Sequence, residues 1–239
     1  MKTIIHRAAE RGHADHGWLN AHHSFSFASW YDPNKTNFGV LRVLNDDIVA
    51  KGMGFGKHPH ENMEIITLVQ HGILRHEDSM GHTSQILPGE VQVMSAGTGI
   101  YHSEFNDSKT EELRLFQIWV FPNIQNVNPR YDQKSYASEA AHNKWQTIIA
   151  PIDQPEAKAI GIYQQAWFSQ TELDQDQTID YTSRNMLNGA YVFVIEGSIK
   201  IGEVILSKRD AMGISEYESF TIEALESAKV LVMDIPMEL

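Results

Sequence analysis

Two short segments carry the residues best suited to chemistry: His58-Pro59-His60 and, about forty residues later, His102-Ser103-Glu104. Each holds two potential metal ligands separated by one residue. In a strand such residues project from the same face, roughly 6 to 7 Å apart along the chain. Two strands of this kind side by side would gather three imidazoles and one carboxylate. With a divalent ion that set has a net charge near +1, and an ion preferring five or six ligands keeps one or two exchangeable positions. Nitrogen and oxygen donors suit Fe(II), Mn, Co, Ni or Cu(II) and also Zn, and a histidine-plus-carboxylate set with open positions resembles non-haem oxygenase sites.

The composition limits the alternatives. The chain has 239 residues, enough for one large or two modest domains, with 42% hydrophobic and 21% charged residues. No cysteine is present, so disulfides and thiolate metal sites are excluded. A formal net charge of -12, with the 19 lysines and arginines scattered, disfavours direct binding to nucleic acid. No apolar run approaches the roughly 20 residues that cross a bilayer. The N-terminus lacks the apolar centre of a secretory signal, so a cytoplasmic protein without membrane contact is expected. Eleven of the twelve histidines fall within the first 102 residues, which assigns the chemistry to the N-terminal half.

The elements that must position these ligands read as strands. Short apolar or alternating runs at 38–44, 64–69, 72–76, 90–94, 114–121, 191–196, 198–201 and 230–235 are separated by Gly, Asn, Asp and Pro. Only residues 8–13 suggest a short helical turn, so the expected class is all-β, sandwich or barrel. The polar segment 122–144, with Pro122 and Pro129 and no alternation, reads as an inter-domain connection. A weak internal repeat supports two units: Thr67 to Leu74 is similar to Val192 to Ile199, and Leu87 to Val91 to Ser207 to Ala211. In register with Gly72 and Gly197, the second copy has Ser183 and Asn185 in place of His58 and His60, and Gly189 in place of Glu64. The duplicated frame therefore lacks the ligands.

Other residues favour plainer readings. His22 and His23 are expected to pack or to bond loop backbone rather than line a pocket, and His71, His76 and His82 to be solvated near turns. Phe25, Phe27, Trp30 and Tyr31 are expected mostly in the core. By spacing alone, Glu64 could either complete the ligand shell or orient an imidazole from behind it. His102 and Glu104 follow a glycine-containing turn, residues 95–101, that permits a sharp backbone path.

These residues resemble a known family. Gly52 through Gly72 is similar to the first cupin motif, and Gly89 through Asn106 to the second. The chain departs from the usual pattern in having seven residues between Glu64 and Gly72, Ser95 for a proline, and a longer turn before His102. The segments 12–19, 25–28, 31–33, 41–43 and 45–47, the run HPHENMEI and residues 95–104 resemble the pirin family, its bacterial members above all, most densely over residues 7–120.

The resemblance implies a bicupin, with two β-barrels of jelly-roll type face to face. The N-terminal barrel (residues 1–130) would carry one metal and the C-terminal barrel (131–239) none. It implies His58, His60, His102 and Glu104 as the ligands, with Fe(II) the expected ion and Cu, Mn, Co, Ni or Zn as alternatives, and it leaves Glu64 behind the ligand shell. Bacterial relatives resemble quercetin 2,3-dioxygenases, so the expected activity is oxygen-dependent opening of the central ring of a flavonol with release of carbon monoxide. Glu104 would be the base for the 3-hydroxyl, and Tyr101 and Phe55 would shape the pocket. Eukaryotic pirins imply the alternative: a metal-dependent transcription co-regulator or redox sensor acting through a protein partner. A cupin-type isomerase is the third reading. A monomer is expected, because two barrels in one chain can cover each other's sheet edges.

Overall fold

The computed structural model describes residues 1–238 as strands joined by turns, with single turns of 3-10 helix at Ala8–Glu10 and Ser138–Ala140. In chain order the first strands are β1 (Lys2–His6), β2 (Gly12–Asp15), β3 (Leu19–His23), β4 (Leu41–Val49), β5 (Gly54–His60), β6 (Glu64–His71), β7 (Leu74–Asp78), β8 (Thr83–Ile86), β9 (Glu90–Ser95), β10 (Ile100–Asn106), β11 (Leu113–Val120) and β12 (Arg130–Ser135). The remainder are β13 (Gln146–Pro151), β14 (Ile160–Ile162), β15 (Trp167–Leu173), β16 (Thr178–Thr182), β17 (Asn188–Glu196), β18 (Ser198–Ile201), β19 (Val204–Ser207), β20 (Ala211–Ser215), β21 (Ser219–Ala224) and β22 (Ala228–Pro236). Among the described residues no helix is long and apolar enough to cross a membrane.

The all-β, two-barrel expectation holds. The sheet β12-β9-β6-β11-β4-β3-β2 closes over β5-β10-β7-β8, and β1-β20-β17-β22-β15-β13-β14 closes over β16-β21-β18-β19. The two halves correspond in strand order, so β5 and β10, which carry His58, His60 and His102, have β16 and β21 as counterparts. Gly72 and Gly197 end equivalent strands with the same φ of +79°, and a Cβ at either would strike the backbone of Glu112 or Ser227. Such a turn requires glycine.

Patterning explains which faces meet. Strands buried on one face alternate, as in β21, whereas β6 and β17 are buried on both. Ile66, Leu68, Phe116 and Ile118 on the back of the first large sheet pack against Phe168, Tyr191, Phe193 and Leu231 on the back of the second. This inter-sheet core joins the barrels. Asp46, on the same outer face of β4, accepts hydrogen bonds from Arg11 and Arg209 at 3.2 and 2.9 Å.

Segment 122–144 is more than a connection. It contains β12, which pairs along β9 from Arg130↔Ser95 to Ser135↔Glu90 and so crosses the expected boundary at residue 130. As a half-exposed edge strand it lacks the apolar alternation that would have marked it. In the opposite sense, β1 joins the C-terminal sheet through β20. Each large sheet thus ends on a strand from outside its own repeat.

Glu64 also departs from expectation. It begins β6 opposite Val120, whose side chain belongs to the inter-sheet core, so Glu64 faces away from the first barrel's interior. Strand alternation places Ile65 on the inner face instead. Glu64 is 1% exposed and accepts a hydrogen bond from Ser95 Oγ at 2.8 Å. Burial, opposed by that hydrogen bond, pushes its carboxyl up to about 7. A raised folded-state pKa favours folding below the unfolded value and loses that advantage as pH rises through 7. Glu64→Gln should therefore match wild type in urea denaturation at pH 4 and exceed it at pH 8 by about 2 to 3 kcal/mol.

Candidate metal centre

The site is built on β5 and β10, which pair antiparallel with His102 opposite His58 and His60 opposite Ile100. Beyond His102 the register slips, and Glu104 lies opposite Phe55, so β5 carries one residue more than β10. A bulge of this kind reverses the alternation of the longer strand. It lets Phe55 and His58, three residues apart, both line the interior. It also brings the Gly56 carbonyl to 2.8 Å from His58 Nδ1, which donates to it and leaves Nε2 free to bind an ion.

His58, His60 and His102 each offer a nitrogen within 4.8 Å of the others. The His58 and His102 Nε2 atoms are 2.9 Å apart, and His60 Nε2 and His102 Nδ1 are buried without a hydrogen-bond partner. Burial, reinforced by the neighbouring histidines, drives His60 and His102 down to about 3, so both are neutral at physiological pH. Neutral imidazoles with converging lone pairs repel one another unless a cation stands between them. Bonds of about 2.0 to 2.1 Å to one ion separate adjacent ligand nitrogens by roughly 3 Å. The donor set fits a divalent metal.

Glu104 shares the inner face of β10 and is 3% exposed, but the compact cluster consists of the imidazoles. Its carboxylate accepts hydrogen bonds from Gln117 Nε2 at 3.2 and 3.1 Å, and Gln117 Oε1 in turn accepts one from Trp119 Nε1 at 3.3 Å. Burial raises the Glu104 pKa against the effects of Gln117, His76 and His58.

The cluster opens on a cavity of about 400 Å³, within the usual range for small-molecule sites. Its apolar wall includes Trp18, Leu19, Phe27, Phe55 and Trp119, and its polar lining includes Asn45, Asp47, Glu104 and Gln117. Cross-strand register explains the polar side. His23, Asn45, Gln117, Thr67 and Gln92 stand opposite one another in turn across β3, β4, β11, β6 and β9. Directly opposed residues share a face, so these five form a polar row across the first barrel. The second barrel encloses aliphatic residues such as Val192, Val194, Ile199 and Val230.

Several single-residue readings change. His76 is fully buried rather than solvated, because alternation in β7 turns it inward opposite Glu104, and neither ring nitrogen has a partner. His23 both lines the cavity and donates from Nδ1 to Asn45 Oδ1 at 2.8 Å. Tyr101 is 51% exposed and points out of the barrel, one residue out of phase with His102. Phe55 does line the cavity, as does Phe27, whereas Phe25 is core and Tyr31 is exposed. Asp47, Gln117 and His76 had no spacing signal.

The comparisons agree with this architecture. Residues 5–120 match the family model described as Pirin, and residues 148–235 that of the quercetinase C-terminal cupin domain. The chain is 40% identical over 232 residues to a quercetin 2,3-dioxygenase of Escherichia coli K12, covering 97% of this chain and 98% of that protein. It is also 40% identical over 223 residues to a pirin-like protein of Caulobacter vibrioides, covering 93% and 95%. The crystal structure of the bacterial pirin YhhW from Escherichia coli in complex with nickel(II) superposes with a TM-score of 0.92 at 38% identity, covering 98% of this chain and 99% of that one. On its full-length similarity, its two-barrel fold and its three-histidine centre, the chain belongs to the pirin family.

Proposed function

We propose that the protein is a metal-dependent dioxygenase that opens the central ring of a flavonol such as quercetin and releases carbon monoxide. The observation that carries this reading is that the three-imidazole cluster borders an aromatic-walled cavity, with His58 and His60 in its lining. Full-length similarity to a quercetin 2,3-dioxygenase supports it. His58, His60 and His102 would hold the ion, with Glu104 as the fourth ligand and Fe(II) the expected metal. When bound, the ion would acidify a hydroxyl placed against it and provide a path for electrons to dioxygen.

The protein's own groups would do the rest. Trp18, Phe27, Phe55 and Trp119 offer flat apolar surface to a planar ring system and exclude water from it. Glu104, a carboxylate on the inner face of β10 beside His102, would take the proton of the flavonol 3-hydroxyl. Gln117 holds both carboxylate oxygens and so keeps Glu104 aimed into the cavity. The Gly56 carbonyl fixes the His58 ring.

His102→Ala should lower metal content, measured by plasma emission spectrometry, from about one ion per chain to below a tenth. Metal-loaded wild type mixed with quercetin under oxygen should lose the flavonol absorption band and evolve carbon monoxide, and His60→Ala should do so at least a hundredfold more slowly. An oxygen-independent loss, or equal rates in the two proteins, would overturn the reading. Gln117→Leu should keep the three histidines in place yet reduce kcat or metal affinity by about 10- to 100-fold, the usual cost of removing a partner that orients a ligand.

A further inference from the structure

Asp47 is the carboxylic acid of the cavity lining that the chemistry above leaves unused. It sits on the inner face of β4 and is 4% exposed, and its Oδ1 is buried without any hydrogen-bond partner. A buried polar atom left unpaired costs stability, and this protein satisfies its other buried carboxylates. Glu104 has Gln117, and even the half-buried Asp46, the adjacent residue on the opposite face, has Arg11 and Arg209. Asp234 in the second barrel accepts from Asn188 Nδ2 at 2.6 Å, the Arg184 backbone N–H at 3.0 Å, Tyr217 at 3.2 Å and Tyr181 at 3.4 Å. A carboxyl kept unpaired in a cavity wall lacks a partner that a ligand can supply.

We propose that Asp47 hydrogen-bonds a phenolic hydroxyl of the substrate remote from the imidazole cluster, and so sets which way the ring system lies in the cavity. Position supports this role. Asp47 is two residues beyond Asn45, which stands opposite Gln117, the residue that holds Glu104. It therefore lies roughly 7 Å along the strand from the row that carries the base, a span that oxygens on neighbouring rings of one polycyclic phenol can bridge. Burial, with Asp46 and Glu104 adding to it, pushes the Asp47 carboxyl up to about 8. At neutral pH it is then a neutral acid, able both to donate to and to accept from a hydroxyl. A ligand lacking the hydroxyl leaves the carboxyl unpaired, which makes Asp47 a discriminating residue.

The inference rests on the flavonol reading, and the test separates the two. Nickel-loaded protein under nitrogen binds ligand without turnover, and quenching of Trp18 and Trp119, both in the cavity wall, reports binding. The ligands are quercetin and 3-hydroxyflavone, which keeps the 3-hydroxyl and lacks the others. Wild type should bind quercetin at least tenfold more tightly. Asp47→Leu should bring the two within about twofold by weakening quercetin alone, and Asp47→Asn should retain part of the preference. Metal content should be unchanged, and both metal-free variants should melt at or above the wild-type temperature. Preference surviving in Asp47→Leu, equal loss of both ligands, or melting well below wild type in both variants would overturn the role of Asp47 while leaving the flavonol reading intact. Wild type that neither binds nor turns over either flavonol would overturn both.

Discussion

The antiparallel pairing of β5 with β10 is the constraint on which the site depends. It sets His102 across from His58, and the two-residue period of each strand then adds His60 and Glu104 to the same face. The extra residue in β5 does two further things. It turns Phe55 into the cavity beside His58, and it presents the Gly56 carbonyl to the other side of the His58 ring. A uniform ladder would allow neither, because alternation would send Phe55 outward.

That small sheet is held by what lies behind it. The large sheet of the first barrel meets its counterpart through a shared apolar core, so the strands carrying Asn45, Asp47 and Gln117 are packed from behind. A wall fixed in this way can hold polar side chains at set positions on its inner face. The two barrels show what the duplication left free to change. The second fills the equivalent space with aliphatic and aromatic side chains, Tyr181 and Phe220 among them, and binds its buried acid Asp234 with neighbouring donors. The first carries a polar row and an acid, Asp47, with one oxygen buried and unpaired, which costs stability.

Local electrostatics are consistent with that division. Burial keeps His60 and His102 uncharged, the form in which imidazole binds a metal. Burial alone raises the Glu104 pKa, and Gln117 opposes it by donating to the carboxylate. Glu64, although in the motif that marks the family, is buried on the opposite face and contributes to the inter-sheet region.

The amino-acid sequence by itself determined the class of fold, the duplication and the ligand histidines. Turn glycines, strand-length apolar runs and x-skip-x ligand pairs are local patterns, and local geometry makes them readable. It did not disclose β12, a polar edge strand whose place depends on pairing with β9, or β1's insertion into the distant sheet. Nor did it separate His76 from the solvated histidines, or Glu64 from the site. Asp47 and Gln117 enter the cavity only because β4 and β11 pair in one particular register, and Tyr101 leaves it because it is one residue out of phase with His102. Which face a side chain occupies follows from the strand, but what it meets there depends on residues far away in the chain. Only the tertiary structure sets those meetings, and they decide which polar groups are paired and which remain for a ligand.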